Sequence, residues 1–453
     1  MTSLAEAKRV HVVGVGGAGM SAVAQLLVER GVTVSGSDVN DSTRLDELRR
    51  SGVTVVLGHD PELASLAQVV LWSPAVRGDD PELVSARERG ATLRSRAELF
   101  GELADLGGVI GLCGTHGKTT ATSMMVHVAR AARRDVGWLV GADVLGAGTN
   151  GHWGDDGLVV EVDESYGTFS MMKPRALGLL NVEADHLDHY GSLDALEEAF
   201  AQLVERTNGP VVVWRDDAGA ARVAATRDDV ITVGTTEGTW QVRDVDLARH
   251  GATFTLNGPG QSLSLRLAVT GAHNVANAAV VAVLALAQGW AAPAIVEGLA
   301  NFTGAPRRFQ FRGRWRGADV YEDYAHLPGE IRATLRATRA VGYEHPLVIF
   351  QPHRVTRTLA LVDAFADAFE GAAQLVVTDL YDAGEANPLG VSAEIVAEAV
   401  HRNHPEARVT FVGALRNAVT VASELERGSD FDVVLVLGAG DVPTIIESLV
   451  ALG

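Results

Sequence analysis

A glycine-rich loop between an apolar run and a helical pattern constrains the fold of this chain more than any other feature. The apolar run covers residues 108–113, and the helical pattern extends from about 119 to 130. The connecting loop and first helical turn read Gly114, Thr115, His116, Gly117, Lys118, Thr119 and Thr120. Such a loop brings backbone N–H groups and a lysine to phosphate oxygens, and its hydroxyl group can hold Mg²⁺. The segment therefore predicts a strand–loop–helix unit that binds ATP phosphates, although Leu112 stands where the general motif has its first glycine.

Short apolar runs that alternate with helical patterns predict an α/β protein with parallel sheets. A chain of 453 residues is too long for one ordinary core. We predict three domains: an N-terminal Rossmann-like domain at 1–105, a central P-loop ATPase-type α/β domain at 106–305, and a C-terminal Rossmann-like domain at 306–453. Residues 230–270 predict a small antiparallel patch in the central domain, and residues 358–369 predict one helix in the third.

The charge and the cysteine content limit the partners and the compartment. A formal net charge of −19 argues against nucleic acid as a partner, because binding of its phosphates requires a basic face. No apolar run approaches the roughly 20 residues that span a bilayer, and residues 1–10 lack a secretion-signal pattern. The single cysteine, Cys113, suits a reducing compartment. We therefore expect a cytoplasmic protein with no membrane partner.

A second glycine motif lies near the N-terminus and leaves two alternatives open. It fits G-x-G-x-x-G after a predicted strand, with an acidic residue about 20 positions later. Its members are Gly14, Gly16, Gly17, Ala18, Gly19, Met20 and Asp38. Alone, this pattern is typical of an NAD(P)-dependent oxidoreductase, but the diphosphate of a nucleotide sugar would fit the same helix N-terminus. We favour the nucleotide sugar, because an oxidoreductase would leave Lys118 and the carboxylates below unexplained.

Carboxylates follow two apolar strands of the central domain. The segments 161–165 and 181–188 each begin where a predicted strand ends, which is where ligands bind in open α/β sheets. Oxygen atoms of Thr119 and Glu161, together with phosphate oxygens, suit Mg²⁺. His186 is a less typical ligand for Mg²⁺, although Mn²⁺ would accept it. We predict Thr119, Glu161 and His186 as metal ligands.

Eight motifs in sequence resemble the Mur ligase family, which builds the peptide of bacterial cell-wall precursors. They are GVGGAGMS at 14–21, GTHGKTT at 114–120, EVDES at 161–165, NVEADHLD at 181–188, HNVAN at 273–277, RRF at 307–309, DYAHLP at 323–328 and QPHRVTRT at 351–358. The resemblance covers almost the whole chain and implies a UDP-binding, an ATP-binding and a C-terminal domain. It implies ATP-dependent addition of L-alanine to UDP-N-acetylmuramate through an acyl phosphate, by a monomer or a homodimer.

The resemblance also implies residue roles. Catalytic roles fall to Lys118, His186, Arg308, His326 and Arg354. With the phosphate loop, the ATP site would include His273, Asn274, Asn277, Arg308 and Asp323. With the N-terminal glycine motif and Asp38, Ser73 would bind the acceptor. The amino-acid site would contain Tyr324, His326, His353, Arg354 and Arg357, where an arginine fork suits a carboxylate.

Two positions depart from the pattern of the alanine-adding branch. Tyr166 stands where that branch usually has aspartate, and Leu327 replaces the second histidine of a pair. A paralogue that adds another amino acid is therefore an alternative, as is a nucleotide-binding regulatory protein without catalysis. The carbamylated lysine of some Mur ligases is excluded, because no lysine follows Lys173.

Overall fold

The computed structural model of the protein describes residues 2–103, 106–425 and 430–452. It divides into two compact units, Met1–Ala305 and Pro306–Gly453. The predicted boundary at 105 lies outside the described residues, and the limits of the three domains stay predictions. Among the described helices, none is long and apolar enough to cross a membrane.

The first unit begins with a parallel five-stranded sheet in the order β3-β2-β1-β4-β5. Its strands are β1 (Arg9–Val13), β2 (Thr33–Asp38), β3 (Thr54–Leu57), β4 (Val69–Trp72) and β5 (Thr92–Ser95). Its helices are α1 (Ala18–Glu29), α2 (Thr43–Arg50), α3 (Pro61–Ala64), α4 (Pro81–Glu88) and α5 (Arg96–Leu103).

A ten-stranded sheet in the same unit has the order β15-β14-β13-β12-β11-β10-β6-β9-β7-β8. Its first strands are β6 (Val109–Cys113), β7 (Gly137–Leu139), β8 (Gly151–His152), β9 (Leu158–Val162) and β10 (Ala176–Leu179). The others are β11 (Val211–Trp214), β12 (Ile231–Gly234), β13 (Trp240–Ala248), β14 (Gly251–Gly258) and β15 (Gln261–Leu267). Its helices are α6 (Lys118–Ala131), α7 (Leu187–Tyr190), α8 (Leu193–Arg206), α9 (Ala218–Ala224), α10 (Ala272–Ala287) and α11 (Ala292–Ala300), with a 3₁₀ turn at Ser165–Gly167.

The second unit contains a six-stranded sheet in the order β16-β17-β21-β18-β19-β20, parallel except for the β16–β17 hairpin. Its strands are β16 (Gln310–Trp315), β17 (Ala318–Asp323), β18 (Pro346–Phe350), β19 (Gln374–Thr378), β20 (Val409–Gly413) and β21 (Val433–Leu437). Its helices are α12 (Pro328–Ala340), α13 (Val355–Ala360), α14 (Val362–Ala366), α15 (Glu394–Asn403), α16 (Asn417–Leu425) and α17 (Ile446–Ala451), with a 3₁₀ turn at Val442–Ile445.

The centre of the ten-stranded sheet brings three strand ends together. Strand β6 is parallel to β9 and β10, and its last residue, Cys113, lies beside Val162 and Leu179. All five residues of β6 are buried, and α6 buries Ala121 and Met124 over the same sheet. Burial of each such large apolar side chain contributes roughly 1.5–3 kcal/mol. The segments that follow β6, β9 and β10 therefore emerge side by side at one edge of a well-buried sheet.

The predicted α/β class is confirmed, and the differences lie in the less apolar segments. The antiparallel patch predicted at 230–270 is confirmed for β13, β14 and β15, although the short apolar runs did not reveal β14. It is wrong for β12, which pairs in parallel with β11 and β13. The hairpin β16–β17 was also missed, because its first strand is mostly polar and partly exposed. The prediction of one helix at 358–369 is wrong: α13 ends before Leu361, whose φ of −113° and ψ of 10° break the helix, and α14 begins after it.

A buried polar cluster stabilises the N-terminal sheet from the side of α4. Glu82 and His11 are fully buried, and His11 Nε2 lies 3.2 Å from Glu82 Oε1. Glu82 also accepts hydrogen bonds from the Ser37 hydroxyl at 2.6 Å and from the Asp60 N–H at 2.9 Å. Burial alone would raise the pKa of Glu82, but these hydrogen bonds lower it to about 2. The charged carboxylate therefore contributes to stability.

We predict that Glu82→Gln lowers the free energy of unfolding by about 1–3 kcal/mol at pH 7, because it removes charge-assisted hydrogen bonds. Since the folded-state pKa is lowered, the carboxylate stabilises the fold above its unfolded pKa of 4.5, and this contribution is lost as the pH falls toward about 2. Urea unfolding across that range should show the difference between wild type and variant shrinking. The exposed Glu62→Gln is the control, and a difference independent of pH would contradict the account.

Candidate active site

The phosphate loop is held against the end of β10 by Asn181. The His116 N–H donates to Asn181 Oδ1 at 2.7 Å, and Asn181 Nδ2 donates to the His116 carbonyl at 3.0 Å. The Thr115 N–H donates to the Asn181 carbonyl at 3.1 Å. Gly114 has a φ of +140°, and a Cβ atom there would lie 2.9 Å from that same carbonyl oxygen, so only glycine fits. Pairing within the protein thus sets the shape of the loop.

Lys118, the first residue of α6, lies over this loop. Its Nζ donates to the carbonyl oxygens of Gly114 at 2.8 Å and Thr115 at 3.1 Å, and to Glu164 Oε1 at 2.8 Å. The Glu164 side chain is fully buried. Burial raises the pKa of Glu164, while the charge of Lys118 opposes that shift. The ammonium group is therefore held at the loop by a desolvated carboxylate.

Thr119 and Glu161, two predicted metal ligands, are in direct contact. The Thr119 hydroxyl donates to Glu161 Oε1 at 2.9 Å. The Gly141 N–H donates to the other oxygen, Oε2, at 2.6 Å. A hydroxyl oxygen and a carboxylate at the mouth of a phosphate loop are the kind of ligands that Mg²⁺ prefers. Thr120, in the same helical turn, is buried.

The third predicted metal ligand belongs to a separate group of side chains. Ligand atoms of Glu164, Asp185 and His186 all lie within 4.8 Å of one another. His186 has a φ of 50° and immediately precedes α7. The structure thus places Thr119 with Glu161, and His186 with two further carboxylates. Glu161 lies near the end of β9, whereas Thr119, Glu164, Asp185 and His186 come after the ends of β6, β9 and β10.

The start of α10 approaches the phosphate loop. Gly117 has a φ of +83°, and a Cβ atom there would lie 2.8 Å from Oδ1 of the buried Asn277. The Asn274 side chain donates to the Thr270 carbonyl at 2.7 Å, so it holds the helix start. His273 is exposed at the same end. Of the three residues predicted for the adenine side, Asn277 is the one that touches the loop backbone.

The N-terminal glycine motif forms the turn between β1 and α1. Gly14 has a φ of +77°, and a Cβ atom there would lie 3.0 Å from Ser73 Cβ. The Gly16 N–H donates to Asp38 Oδ2 at 2.9 Å, so Asp38 holds the loop itself. Met20 is buried in α1. Ser73 and Asp38 therefore flank the turn.

The first turn of α1 is also contacted by the segment before β8. Gly17 is the N-cap of α1. The Ala18 carbonyl accepts from Asn150 Nδ2 at 2.9 Å and from the Ser21 hydroxyl at 2.9 Å. The Ser21 oxygen accepts from Arg44 Nη1 at 3.1 Å. A side chain from the central part of the unit therefore fixes the helix that begins the glycine motif.

In the second unit, Asp323 ends β17 and holds the surrounding backbone. Its oxygens accept from the Phe309 N–H at 2.7 Å and the Ala325 N–H at 2.8 Å. Burial raises the pKa of Asp323 despite these bonds. Arg308 is exposed, with its guanidinium 5.2 Å from the centre of the Tyr324 ring. Asp323 and Arg308 thus lie at the end of one strand.

Two histidines meet at the ends of β17 and β18. The His326 ring centre lies 5.7 Å from that of His353, which stacks on Tyr381 at 5.5 Å. Burial, and then the charges of His326 and Arg357, lower the pKa of His353 to about 4. His353 is therefore neutral at pH 7, and its Nδ1 can accept from Arg357 Nη1 at 3.3 Å.

Arg354 and Arg357 lie at the start of α13 beside these rings. Arg354 has a φ of 71°, and its Nε lies 2.9 Å from Glu385 Oε1. The structure therefore gathers the residues predicted for the amino-acid site at one edge of this sheet. They are Tyr324, His326, His353, Arg354 and Arg357.

The two departures from the family pattern have different surroundings. Tyr166 is 62% exposed and has a φ of 55°, a left-handed conformation that aspartate adopts more readily than a bulky aromatic. Leu327 precedes α12, and its N–H donates to Glu330 Oε2 at 3.0 Å. The leucine leaves this backbone contact in place and presents an apolar side chain beside His326.

Sequence reasoning missed several residues that shape these sites. Asn181 and Glu164 lay inside recognised motifs, and their positions after apolar strands were the signal that could have found them. Glu330 lies three residues after Leu327, where a glutamate commonly caps a helix start. Glu385 lies in a loop with no sequence signal, and only the folded chain brings it to Arg354.

Comparison with known proteins covers most of the chain. Three family models match: the "Mur ligase family, catalytic domain" at 9–107, the "Mur ligase middle domain" at 112–285 and the "Mur ligase, glutamate ligase domain" at 307–440. The UDP-N-acetylmuramate–L-alanine ligase of Thermobifida fusca is 40% identical, with 97% of this chain and 96% of that protein covered. The protein of the same name from Kineococcus radiotolerans is 41% identical, with 96% and 94% covered.

A solved structure agrees with these relatives. The UDP-N-acetylmuramate–alanine ligase of Thermotoga maritima is 30% identical, with a TM-score of 0.81 and 98% of each chain covered. Matching family models, near-full-length relatives and a shared fold all follow the order of motifs along the chain. The chain belongs to the Mur ligase family.

Proposed function

We propose that this protein is an ATP-dependent ligase that joins L-alanine to UDP-N-acetylmuramate during the synthesis of peptidoglycan precursors. Near-full-length identity of about 40% to relatives of that name supports the proposal. The observation in the structure that carries it is the phosphate loop, where Lys118 and the Thr119–Glu161 pair lie together. Membership of the Mur ligase family argues against an NAD(P)-dependent oxidoreductase, because the N-terminal glycine motif would then bind the nucleotide sugar.

The phosphate loop would hold the β- and γ-phosphates of ATP. Lys118 supplies a positive charge at the loop, and the N-terminus of α6 adds a favourable helix dipole. Two anions, ATP and the acceptor's carboxylate, must come close together, so the site has to offset their repulsion. Glu164 holds Lys118 in position until phosphate oxygens replace it as the partner.

The donor set fits Mg²⁺. Thr119 and Glu161 offer a hydroxyl and a carboxylate beside the loop, while Glu164, Asp185 and His186 offer a second group. We propose that Thr119 and Glu161 bind the first ion and His186 the second, with Mn²⁺ as a possible substitute. When bound, the metal would neutralise charge on the phosphate oxygens. The protein's own part is to fix Glu161 through the Gly141 N–H.

The proposed reaction needs no further reactant. A carboxylate oxygen of the muramoyl group attacks the γ-phosphorus of ATP, and ADP leaves. The amine of L-alanine then attacks the acyl carbon of this acyl phosphate. The carbon–oxygen bond breaks, phosphate departs with the oxygen that came from the carboxylate, and the proton lost by the amine passes to water.

We propose that the side chains around His353 bind the amino acid. Arg354 and Arg357 offer guanidinium groups to its carboxylate. Arg308 would reach the phosphates and Asp323 the ribose, while His273, Asn274 and Asn277 would bind the adenine side. Because His353 is neutral, it can accept a hydrogen bond from Arg357 and orient that side chain without repelling its charge. A cytoplasmic location and a monomer or homodimer complete the proposal.

The first test is ADP release by purified protein with Mg²⁺, ATP and UDP-N-acetylmuramate. We expect L-alanine to give the highest kcat/KM in a panel of amino acids, and omission of the amino acid to reduce release to background. A higher kcat/KM for a different amino acid would instead support a paralogue, with Leu327 and Tyr166 as the residues to examine. Background release with every amino acid would contradict the proposal.

Lys118→Met should lower kcat for ADP release by at least about 100-fold, because the variant loses a charged donor to the transferring phosphate. Lys173→Met is the matched control, since it removes an exposed lysine of the same unit. Steady-state kinetics of both variants check this. Equal turnover in the Lys118 variant and the control would exclude the assigned role of the loop.

Glu161→Gln should raise the Mg²⁺ concentration for half-maximal activity by at least about tenfold, because a neutral amide is a weaker ligand than a carboxylate. A magnesium titration at saturating ATP measures this. Glu205→Gln changes an exposed carboxylate on α8 and should leave the titration unchanged. An unchanged midpoint for the Glu161 variant would remove that residue from the metal site.

A further inference from the structure

Arg96, the first residue of α5, lies against the first turn of α1. A Cβ atom built on Gly19 would lie 2.8 Å from Nη2 and 3.0 Å from Cζ of Arg96. Real Cβ atoms are essentially never found below 3.0 Å, so a side chain at residue 19 would displace the guanidinium from the first turn of α1. This is the glycine motif proposed to hold the acceptor's diphosphate.

The electrostatics of this position favour an anion. The N-terminus of a helix carries about half a positive charge, and Arg96 adds a full one. Asp163 Oδ2 lies 3.3 Å from Arg96 Nη2, but both oxygens of Asp163 also accept hydrogen bonds from Ser165. Arg96 Nε is buried and has no hydrogen-bond partner among the described residues. The guanidinium therefore retains donor capacity beside a positive helix end.

Asp163 ties this arginine to the metal and phosphate site. In the sequence, Asp163 lies between Glu161 and Glu164. Glu161 contacts Thr119, and Glu164 contacts Lys118. Arg96 consequently touches the glycine motif proposed for the acceptor on one side and the segment that follows β9 on the other. A guanidinium can form two parallel hydrogen bonds to phosphate, which a single ammonium cannot.

We propose that Arg96 is a positioning residue: its guanidinium binds the diphosphate of the UDP-sugar and, through Asp163, aligns the acceptor with the segment that carries Glu161 and Glu164. This inference rests on the proposed function and adds a residue to it. A bound diphosphate would satisfy the helix N-terminus and the guanidinium together. The ion pair to Asp163 would then fix how far the acceptor lies from the phosphate loop.

Arg94 provides a matched control two residues away. Its side chain is 19% exposed, against 18% for Arg96, and it forms an ion pair with Glu102. Arg94 lies on β5, and its side chain donates to Glu102 and to the Leu93 carbonyl. Arg94→Met therefore removes an equally buried, ion-paired arginine whose hydrogen bonds among the described residues lie away from the glycine motif.

The test uses the full chain and compares Arg96→Met, Arg96→Lys and Arg94→Met. We expect Arg96→Met to weaken UDP binding in calorimetry by at least tenfold and to raise the KM for UDP-N-acetylmuramate similarly. The KM for ATP should stay within twofold, which a general loss of structure would not allow. Arg96→Lys retains the positive charge but cannot form two parallel hydrogen bonds, so its affinity for UDP should fall by at least threefold. This variant provides the test if Arg96→Met does not fold. Arg94→Met should match wild type.

The failure of this inference is distinguishable from failure of the proposed function. If wild type binds UDP and both Arg96 variants bind it equally well, the role of Arg96 is overturned while the ligase assignment stands. If the KM for ATP rises as much as that for the acceptor, Arg96 is structural and the inference also fails. If wild type releases only background ADP with every amino acid, the proposed function fails, and the inference that rests on it fails with it.

A second variant tests the contact itself. Gly19→Ala would place a Cβ atom where the guanidinium lies, so it should raise the KM for UDP-N-acetylmuramate. If this effect acts through Arg96, Gly19→Ala should add less than twofold in the Arg96→Met background. Full additivity of the two changes would contradict the proposed contact.

Discussion

The site depends on one constraint, the parallel alignment of β9, β6 and β10. Their ends lie side by side in register, so the phosphate loop, the 161–165 segment and the 181–186 segment leave the sheet together. The close approach of Gly114 to Asn181 then fixes the loop, since no side chain fits between them. The contacts of Lys118 with the loop and Glu164, and of Thr119 with Glu161, follow from this arrangement.

Charge is the second organising factor. In a chain with a net charge of −19, two cations of the first unit that lie near the proposed phosphate sites are held by carboxylates. Lys118 is held by the buried Glu164, and Arg96 by Asp163. Both carboxylates belong to the segment after β9. That segment therefore holds the two cations that we propose for two different phosphate groups, and Glu161 of the proposed metal site lies just before it, within β9.

The sequence predicted the elements whose pattern is strong. Apolar strands such as β6 are easy to predict, because burial on both faces requires apolar residues. The glycine motifs are easy to predict because positive φ values favour glycine. The partners of these motifs were harder to predict. The ion pair of Lys118 with Glu164, the contact of Arg96 with Gly19, and the ion pair of Arg354 with Glu385 join residues that only the folded chain brings together.

The secondary structure of the irregular segments was also hard to predict from the sequence. The break at Leu361 interrupts a pattern that reads as one helix, since apolar spacing continues across it. The hairpin β16–β17 pairs a mostly polar strand with a buried one, so its first strand carries no clear periodic signal. The selectivity for the amino acid is also hard to predict from the sequence. Leu327 retains the backbone hydrogen bond to Glu330, and only the side chain beside His326 differs from the family pattern.

The central claim is that the acceptor's carboxylate is phosphorylated before the amide bond forms. It is tested most directly with UDP-N-acetylmuramate labelled with ¹⁸O in that carboxylate, by mass spectrometry of the phosphate released in the presence of ATP, Mg²⁺ and L-alanine. The account predicts that each phosphate carries one ¹⁸O atom from the carboxylate. Release of unlabelled phosphate alongside amide product would contradict it.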